Sequence, residues 1–538
     1  MFRENQQHQQ SSLFETVEQL PEKHRLRLEN SWGGAFYCEL FCRIDETLFA
    51  KLYSDRPSRP NTPINVLVGM EILKSGFGWS DEDLYNAFLF DLQVRYALGL
   101  RDFASGDFEL RTLYNFRHRL SAHMQATGEN LLEHVFAQVT DEQLVAYKLH
   151  THEQRMDATY IASNIRYMGR LQLLVEVVHR VWRMLSTSDQ ERLGDLFAPY
   201  VAHKAERFCY RLTHDQVPGK IQAVGELLLQ LKAELTTYCD DPAYQLLLRV
   251  LAEHFELVPA TETTPVSVHT KPPQEVGAAS LQSPDDQEAT YRTTDQGHLV
   301  GYKANAAETC APENPFQLIT SIQVAPNLAD DQDLMAEALP GLIERTGLTK
   351  LWTDGGFTGQ KADRTIAQYE IEQVPTALRG EAGAEDKLAW QDFAWQVDAA
   401  HEPLAVTCPG GQSVAVTGRE RPYRSCVFDQ ATCRQCPLRA HCPGTLSCND
   451  TKRTMWLPLR TIHNALRRQR TQTVQGPGRN RRAAVEALMR CLKHPFGGRR
   501  GKLPVRGQIR VAMLMVAAAL MVNLRRIWRY GVVQPAAG

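Results

Sequence analysis

Apolar residues recur at helical spacing in three consecutive stretches of the first quarter of the chain, PINVLVGMEILKSGF, SDEDLYNAFLFDLQVRYALGL and ELRTLYNFRHRLSAH. They predict several short helices between about Arg56 and His123. Ser80 and Asp107 stand where the N-caps of the second and third belong. A connecting helix is expected over Gly128 to Val139. The period then changes, and Arg155 to Ala162 reads as a buried strand carrying one carboxylate, Asp157. From Leu171 to about Leu257 the spacing is helical again, in runs such as LLVEVVHRVWRML and IQAVGELLLQLKAEL. Val258 to Ala289 is rich in Pro, Thr and Ser and predicts a mobile linker. Strand-like HLVGYKANAAET and FQLITSIQVAP come next, then a helical DLMAEALPGLIERTG and a strand TKLWTDGGF ending in Asp354. Two strands, a helix and a strand are the middle of a mixed α/β domain. A Cys-rich stretch, roughly Leu404 to Asn449, precedes a helical region from Leu457 to the end. No internal repeat interrupts this order.

Composition sharpens the picture at a few points. The 538 residues, 43% hydrophobic and 23% charged, are those of a soluble globular chain with room for several domains. MFRENQQHQQSS lacks the basic start and apolar run of a secretory signal, so a cytoplasmic, nucleoid-associated protein is expected. Val511 to Val522 is too short for a bilayer span, which needs about 20 apolar residues, and reads as a buried helix; no membrane partner is expected. A net charge of −2 conceals a strong asymmetry: between Arg460 and Tyr530 seventeen Lys or Arg accompany one acid, Glu486. Such a block is the footprint of a polyanion, and nucleic acid is the commonest one. Arg111, Arg117, His118 and Arg119 on the third N-terminal helix have the look of a DNA-docking face; a solvated basic face fits them nearly as well.

Two sets of residues could carry chemistry. Asp157 inside a strand, Asp354 at the end of another and Glu486 on a basic helix could converge as hard oxygen ligands for magnesium or manganese. Taken singly, each has a plainer role: Asp354 before Gly-Gly forms a turn, and a lone Glu amid Arg and Lys makes surface ion pairs. The second set is Cys408, Cys433, Cys436 and Cys442, whose spacing suits a tetrahedral zinc site, with Cys426, Cys448 and His441 as spare ligands. Unliganded buried thiols or redox chemistry are the other readings of that cluster, although the βαβ context of a redox CxxC is absent.

Several motifs in order bring in a resemblance. RMDATYIASNIR, SPDDQEATY followed by GYKANAAET, LWTDGGFTG, the Arg482, Glu486, Lys493 spacing, and PVRGQIRV followed by AAALMVNLRRIW resemble the insertion-sequence transposases of the DDE type. The pattern is similar to that of a subgroup with an N-terminal helical domain and a cysteine cluster before the catalytic Glu. The resemblance implies an α/β fold with a ribonuclease-H-like mixed-sheet core, Asp157 on its first strand and Asp354 on its fourth. It implies that Asp157, Asp354 and Glu486 are catalytic metal ligands and that Arg482 and Lys493 act near double-stranded DNA. Arg479 replaces the Tyr usual three residues before the Arg and, with Arg506, joins Arg117 as an expected DNA contact. The implied organisation is an N-terminal helical DNA-end-binding domain over 1–145 and the start of the core over 146–170. A helical insertion and linker occupy 171–290, the second part of the core 291–400, a Cys-rich zinc-binding insertion 401–455, and the basic C-terminal part of the core 456–538. The implied activity is DNA cleavage at the ends of a mobile element and joining of the 3′-OH ends to a target, by a homodimer on paired ends. A catalytically inactive DNA-binding regulator, or a nuclease of the same fold that does not join strands, would share these features.

Overall fold

In the computed structural model, residues 1–9, 15–54, 56, 60–103, 106–210, 212–260, 266–294, 297–376, 378, 387–398, 402–419, 423–443, 452–472, 481–497 and 502–533 are described. The first expected helix is α1, Ile64–Phe77, buried along most of its length. Ser80 caps the next helix, Asp81–Phe90, with a complete capping box. The long second stretch breaks at Asp91, whose side chain caps a separate helix, Leu92–Ala97. Helix α2, Leu110–Thr127, starts after Glu109. Asp107, expected as its cap, is instead paired with the fully buried Arg95 at 3.0 Å. Charge neutralisation in the core takes precedence there over capping. Helix α3, Leu131–Ala146, comes after it with Asn130 as its cap.

The main sheet has six strands: β1 (Glu153–Ala162), β2 (Thr290–Thr294), β3 (Gly297–Thr309), β4 (Ile319–Pro326), β5 (Lys350–Thr353) and β6 (Glu372–Pro375). β1 runs antiparallel to β3 and parallel to β5, and β5 parallel to β6. β3 also pairs antiparallel with β2 over its first five residues and with β4 over the rest. The parallel strands β5 and β6 are joined through helix α5 (Gln360–Tyr369), while α4 (Asp331–Thr346) leads from β4 into β5. Met156, Ala307, Met335, Leu339, Leu351, Phe357 and Ile366 form the core between these two helices and the sheet.

Between β1 and β2, helices from Arg170 to His254 build a separate hydrophobic core that includes Leu174, Val178, Phe197, Leu228, Leu247 and Phe255. The segment expected to be a mobile linker is ordered where it is described. Ser267–Thr270 pairs with Phe255–Val258. Ser283 and Asp286 are buried, and Asp286 accepts hydrogen bonds from Ser163 and Tyr302. Polar composition misleads here because the polar groups find partners inside rather than water outside.

After β6 the chain forms a sheet that the Cys-rich pattern did not announce: β7 (Ala394–Val397), β8 (Pro403–Thr407), β9 (Ser413–Thr417), β10 (Tyr423–Asp429) and β11 (Lys452–Pro458), each antiparallel to the next in the chain. Helices α6 (Leu459–Gln472), α7 (Val485–Lys493) and α8 (Gln508–Val533) close the chain. α8 is long and apolar enough to cross a membrane, but 83% of its apolar window is buried inside the molecule. It runs between the N-terminal helices and the main sheet, so its apolar residues are the centre of the largest core, together with Val68, Ile72, Phe136 and Ile322.

Candidate active site and metal centres

Strand register places the two aspartates side by side. Arg155 on β1 is in register with Trp352 on β5, so two residues further along each parallel strand Asp157 and Asp354 face the same side of neighbouring strands. Asp157 is 8% exposed. Its Oδ1 accepts from the Ala158 N–H at 2.9 Å, and its Oδ2 from the Arg482 guanidinium at 2.9 Å. The same guanidinium lies 3.7 Å from Asp354 Oδ2. Asp354 Oδ1 caps the turn Gly355–Phe357 through the Gly356 N–H at 2.8 Å. Burial pushes the Asp157 carboxyl up to about 6; Arg482 opposes that rise and the neighbouring Asp354 adds to it.

Three alternate residues of β1, Glu153, Arg155 and Asp157, carry charges on one face, and the basic C-terminal segment docks onto them. Arg481 pairs with Glu153, which also accepts from Trp352 Nε1 at 2.6 Å. Arg155 Nε donates to the fully buried Glu308 at 2.7 Å, its Nη1 donates to the Arg481 carbonyl at 2.7 Å, and Arg526 reaches the other Glu308 oxygen at 2.6 Å. Lys493 Nζ donates to Thr159 Oγ1 at 2.7 Å. Glu308, Arg155 and Arg526 were not singled out from the sequence. For Arg155 the signal was there, in charges recurring at period two along β1, whereas Glu308 stands alone among the small residues ending β3 and Arg526 lies on α8.

Glu486 sits in the first turn of α7 and is exposed. It precedes Lys493 by seven residues, nearly two full turns, and therefore shares the helix side from which Lys493 reaches β1. Among the described residues, no group of three or more His, Cys, Asp or Glu side chains is placed to hold a metal ion. Two of the three expected acidic ligands are thus brought together and the third is not. The donor set still suits a hard cation: two carboxylates converge, one of them buried, and Arg482 supplies the positive charge that their repulsion demands.

The other expected DNA contacts divide. Arg506 lies at the surface with Nε on the Asn164 carbonyl at 2.6 Å. Arg479 lies outside the described residues. Arg117, expected to face phosphate, is turned inward: its Nε is 2.6 Å from Glu71 and its Nη1 2.7 Å from Asp81, which Lys74 also reaches at 2.6 Å. The helix packing leaves that guanidinium little water, and the two carboxylates neutralise it in place.

The four cysteines line one cavity of about 330 Å³ above the core of the small sheet. Cys408 starts the turn between β8 and β9, closed by its N–H on Gln412 and by the Gly411 N–H on its own carbonyl, both at 2.9 Å. A Cβ on Gly410 would lie 3.0 Å from Cys436 Sγ and 3.6 Å from Cys408 Sγ, so these thiols flank the same glycine. Cys433 lies within a short helix, Gln430–Gln435, capped by Cys436, and accepts from Gln412 Nε2 at 3.5 Å. All four are free thiols of intermediate exposure. Soft donors around one small cavity fit zinc by type, although they too are outside the spacing of an assembled three-ligand group. Cys426 is buried in β10, its thiol pushed up to about 11 by burial, and His441 does not line the cavity; Cys448 lies outside the described residues.

Residues 407–528 match the family model described as Transposase DDE domain, and residues 16–119 match the one described as Transposase domain (DUF772). No curated protein and no solved structure matches the chain.

Proposed function

Proceeding from these two matches, which support an insertion-sequence transposase of the DDE type acting on DNA, we propose that the chain cleaves the ends of a mobile element and joins them to a target. The observation that carries this reading is that Asp157 on β1 and Asp354, directly after the neighbouring parallel strand β5, meet under one arginine. The strand order β4, β3, β1, β5, β6, with only β3 antiparallel to its neighbours, supports a ribonuclease-H-like core.

In this reading water attacks phosphorus at the element end and the 3′ oxygen leaves as a hydroxyl. That hydroxyl then attacks a target phosphodiester, displacing a second 3′ oxygen. Asp157 and Asp354 would hold a magnesium or manganese ion, with Glu486 as the third acidic group brought in on the DNA-bound form. The ion's chemistry there is to neutralise charge building on the phosphoryl oxygens. Arg482 and Lys493 hold phosphates from the side of α7, and Arg482 positions both aspartates. Cys408, Cys433, Cys436 and Cys442 would hold a structural zinc ion. A pair of copies on paired ends is the expected assembly.

Asp157→Asn, Asp354→Asn and Glu486→Gln are each expected to lower cleavage of a labelled end at least about a thousandfold, with affinity for the end nearly unchanged. Full cleavage by any of the three would remove that residue from the centre. A wild-type chain that binds ends without cutting them would favour the regulator, and cutting without strand transfer into a supercoiled target would favour the nuclease.

A further inference from the structure

A cleft of about 820 Å³ opens beside the candidate centre. The turn after Asp354, from Gly355 to Gly359, forms one wall and α6 the other. Its lining is cationic. Arg292, Lys303, Arg460, Arg467 and Arg468 outnumber Asp330 and Asp331. Lys303 is 2% exposed and bonded to Asp331 at 2.8 Å, and Arg467 is paired with the buried Asp363, so these two are balanced where they stand. Arg292, whose Nη1 donates to the Asn327 carbonyl, and the exposed Arg460 keep their charge facing the cleft.

The rim leads onto a second feature. Pro458, the last residue of β11, lines the cleft. Trp456 stands two residues before it, on the same face of the strand, and Tyr423 is the cross-strand neighbour of Pro458. Trp456 is 57% and Tyr423 51% exposed. The opposite face of this sheet is already packed on Phe393, Val406, Phe428 and the cysteines, so among the described residues the aromatic pair belongs to no core. Diagonal positions of this kind lie about 7–8 Å apart, within reach of neighbouring rings.

A positively charged trough that continues into exposed aromatic rings is the chemistry that holds unpaired nucleotides. We propose that cleft and sheet face form one track for a single DNA strand, its phosphates along Arg292 and Arg460 and its bases stacked on Tyr423 and Trp456. A fully paired duplex has its bases covered on both faces by their neighbours and gains nothing from the rings. The track rests on the transposase reading only for the identity of the polymer as DNA and for which strand enters, the one leaving the scissile phosphate at Asp354.

The test uses the full chain and fluorescence anisotropy with three probes: a dT12 oligonucleotide, a fully paired element end, and the same end with three unpaired nucleotides at the cleavage position. Trp456→Ala and Tyr423→Ala are each expected to weaken dT12 and the frayed end about tenfold, with Trp456→Phe restoring most of the loss and the paired end changing less than about twofold. Arg460→Ala should reduce the salt dependence of dT12 binding by about 0.7 in logarithmic slope. Both rings are exposed, so thermal midpoints should stay at the wild-type value and report that the fold is intact. Equal losses on paired and unpaired probes, or no loss on dT12, would overturn the track. Wild-type protein that binds dT12 through these residues but cuts no element end would sink the transposase reading and leave the track standing. Cleavage by wild type with unaltered dT12 binding by the variants would do the reverse.

Discussion

Single side chains here are governed by whether a buried charge finds its partner. Arg95, Arg117, Lys303 and Glu308 are held in the interior by opposite charges, and the sequence patterns that suggested DNA contact for Arg117 do not distinguish an inward from an outward guanidinium. His254 is the exception. It is 3% exposed, neither ring nitrogen has a hydrogen-bond partner among the described residues, and burial, with Arg170 and Lys271 nearby, lowers its pKa to about 4. A histidine depressed in this way binds its proton more weakly folded than unfolded. The stability linked to it is complete above the unfolded value of about 6.5 and is lost as pH falls toward the folded value, on the order of 3 kcal/mol in all. Urea unfolding of the wild type should therefore lose more stability between pH 7 and pH 4.5 than unfolding of His254→Leu. Parallel losses in the two chains would contradict a neutral buried imidazole.

Among the elements, α7 is held in place through the turn at its C-terminal end. Gly78 ends α1 in the left-handed region, with φ of +69°, and a Cβ there would meet the Pro495 carbonyl oxygen at 1.9 Å. Pro495 lies in the turn directly after α7, so this glycine lets the N-terminal helices close on the segment that carries Glu486 and Lys493. Gly128 ends α2 with φ of +76° and open space around it. Both alanine variants incur the left-handed cost of about 1–2 kcal/mol, and Gly78→Ala should lose at least about 1 kcal/mol more from the clash. Equal destabilisation in chemical denaturation would show that α7 is not held there. The four thiols at the small sheet are proposed to hold zinc. Purified protein is expected to carry one zinc per chain by atomic absorption and to lose it on Cys433→Ser with Cys436→Ser, together with a lowered thermal midpoint. Metal-free protein with an unchanged midpoint would leave the four cysteines as packing groups.

Across the whole molecule, α8 joins regions far apart in the chain. Arg525 donates to the Gly76 carbonyl at 2.6 Å, Arg526 pairs with Glu308, and Asn523, fully buried, accepts from the Ile319 N–H at 2.8 Å and donates to its carbonyl at 2.9 Å. An asparagine in an apolar helix thus completes the first residue of β4. Asn523→Leu leaves both backbone groups buried and unpaired, and is expected to cost about 3 kcal/mol in global unfolding. Protection from hydrogen exchange should fall in α1 and β4 together, although they lie more than two hundred residues apart in sequence. Loss confined to α8 would mean that the helix is an accessory layer.

The chain's own order determined most of its elements, because hydrophobic period is a local property. Asp157 could be placed on a strand and Asp354 at the end of another, where the structure puts it one residue past β5, and the basic stretch between Arg460 and Tyr530 could be recognised, from adjacent residues alone. Element ends set by a buried charge could not be read in this way, as the loss of Asp107 to the buried Arg95 twelve residues before it shows. Nor could the ordering of 266–289, or the antiparallel sheet around the cysteines, whose strands are short and separated by polar turns. Only tertiary structure decided that Asp157 and Asp354 share Arg482, that Glu486 stands apart from them, and that Arg117 points inward. Those outcomes depend on which charges meet after the chain has closed on itself, and Coulomb energy in a buried site depends on distance in space rather than separation along the chain.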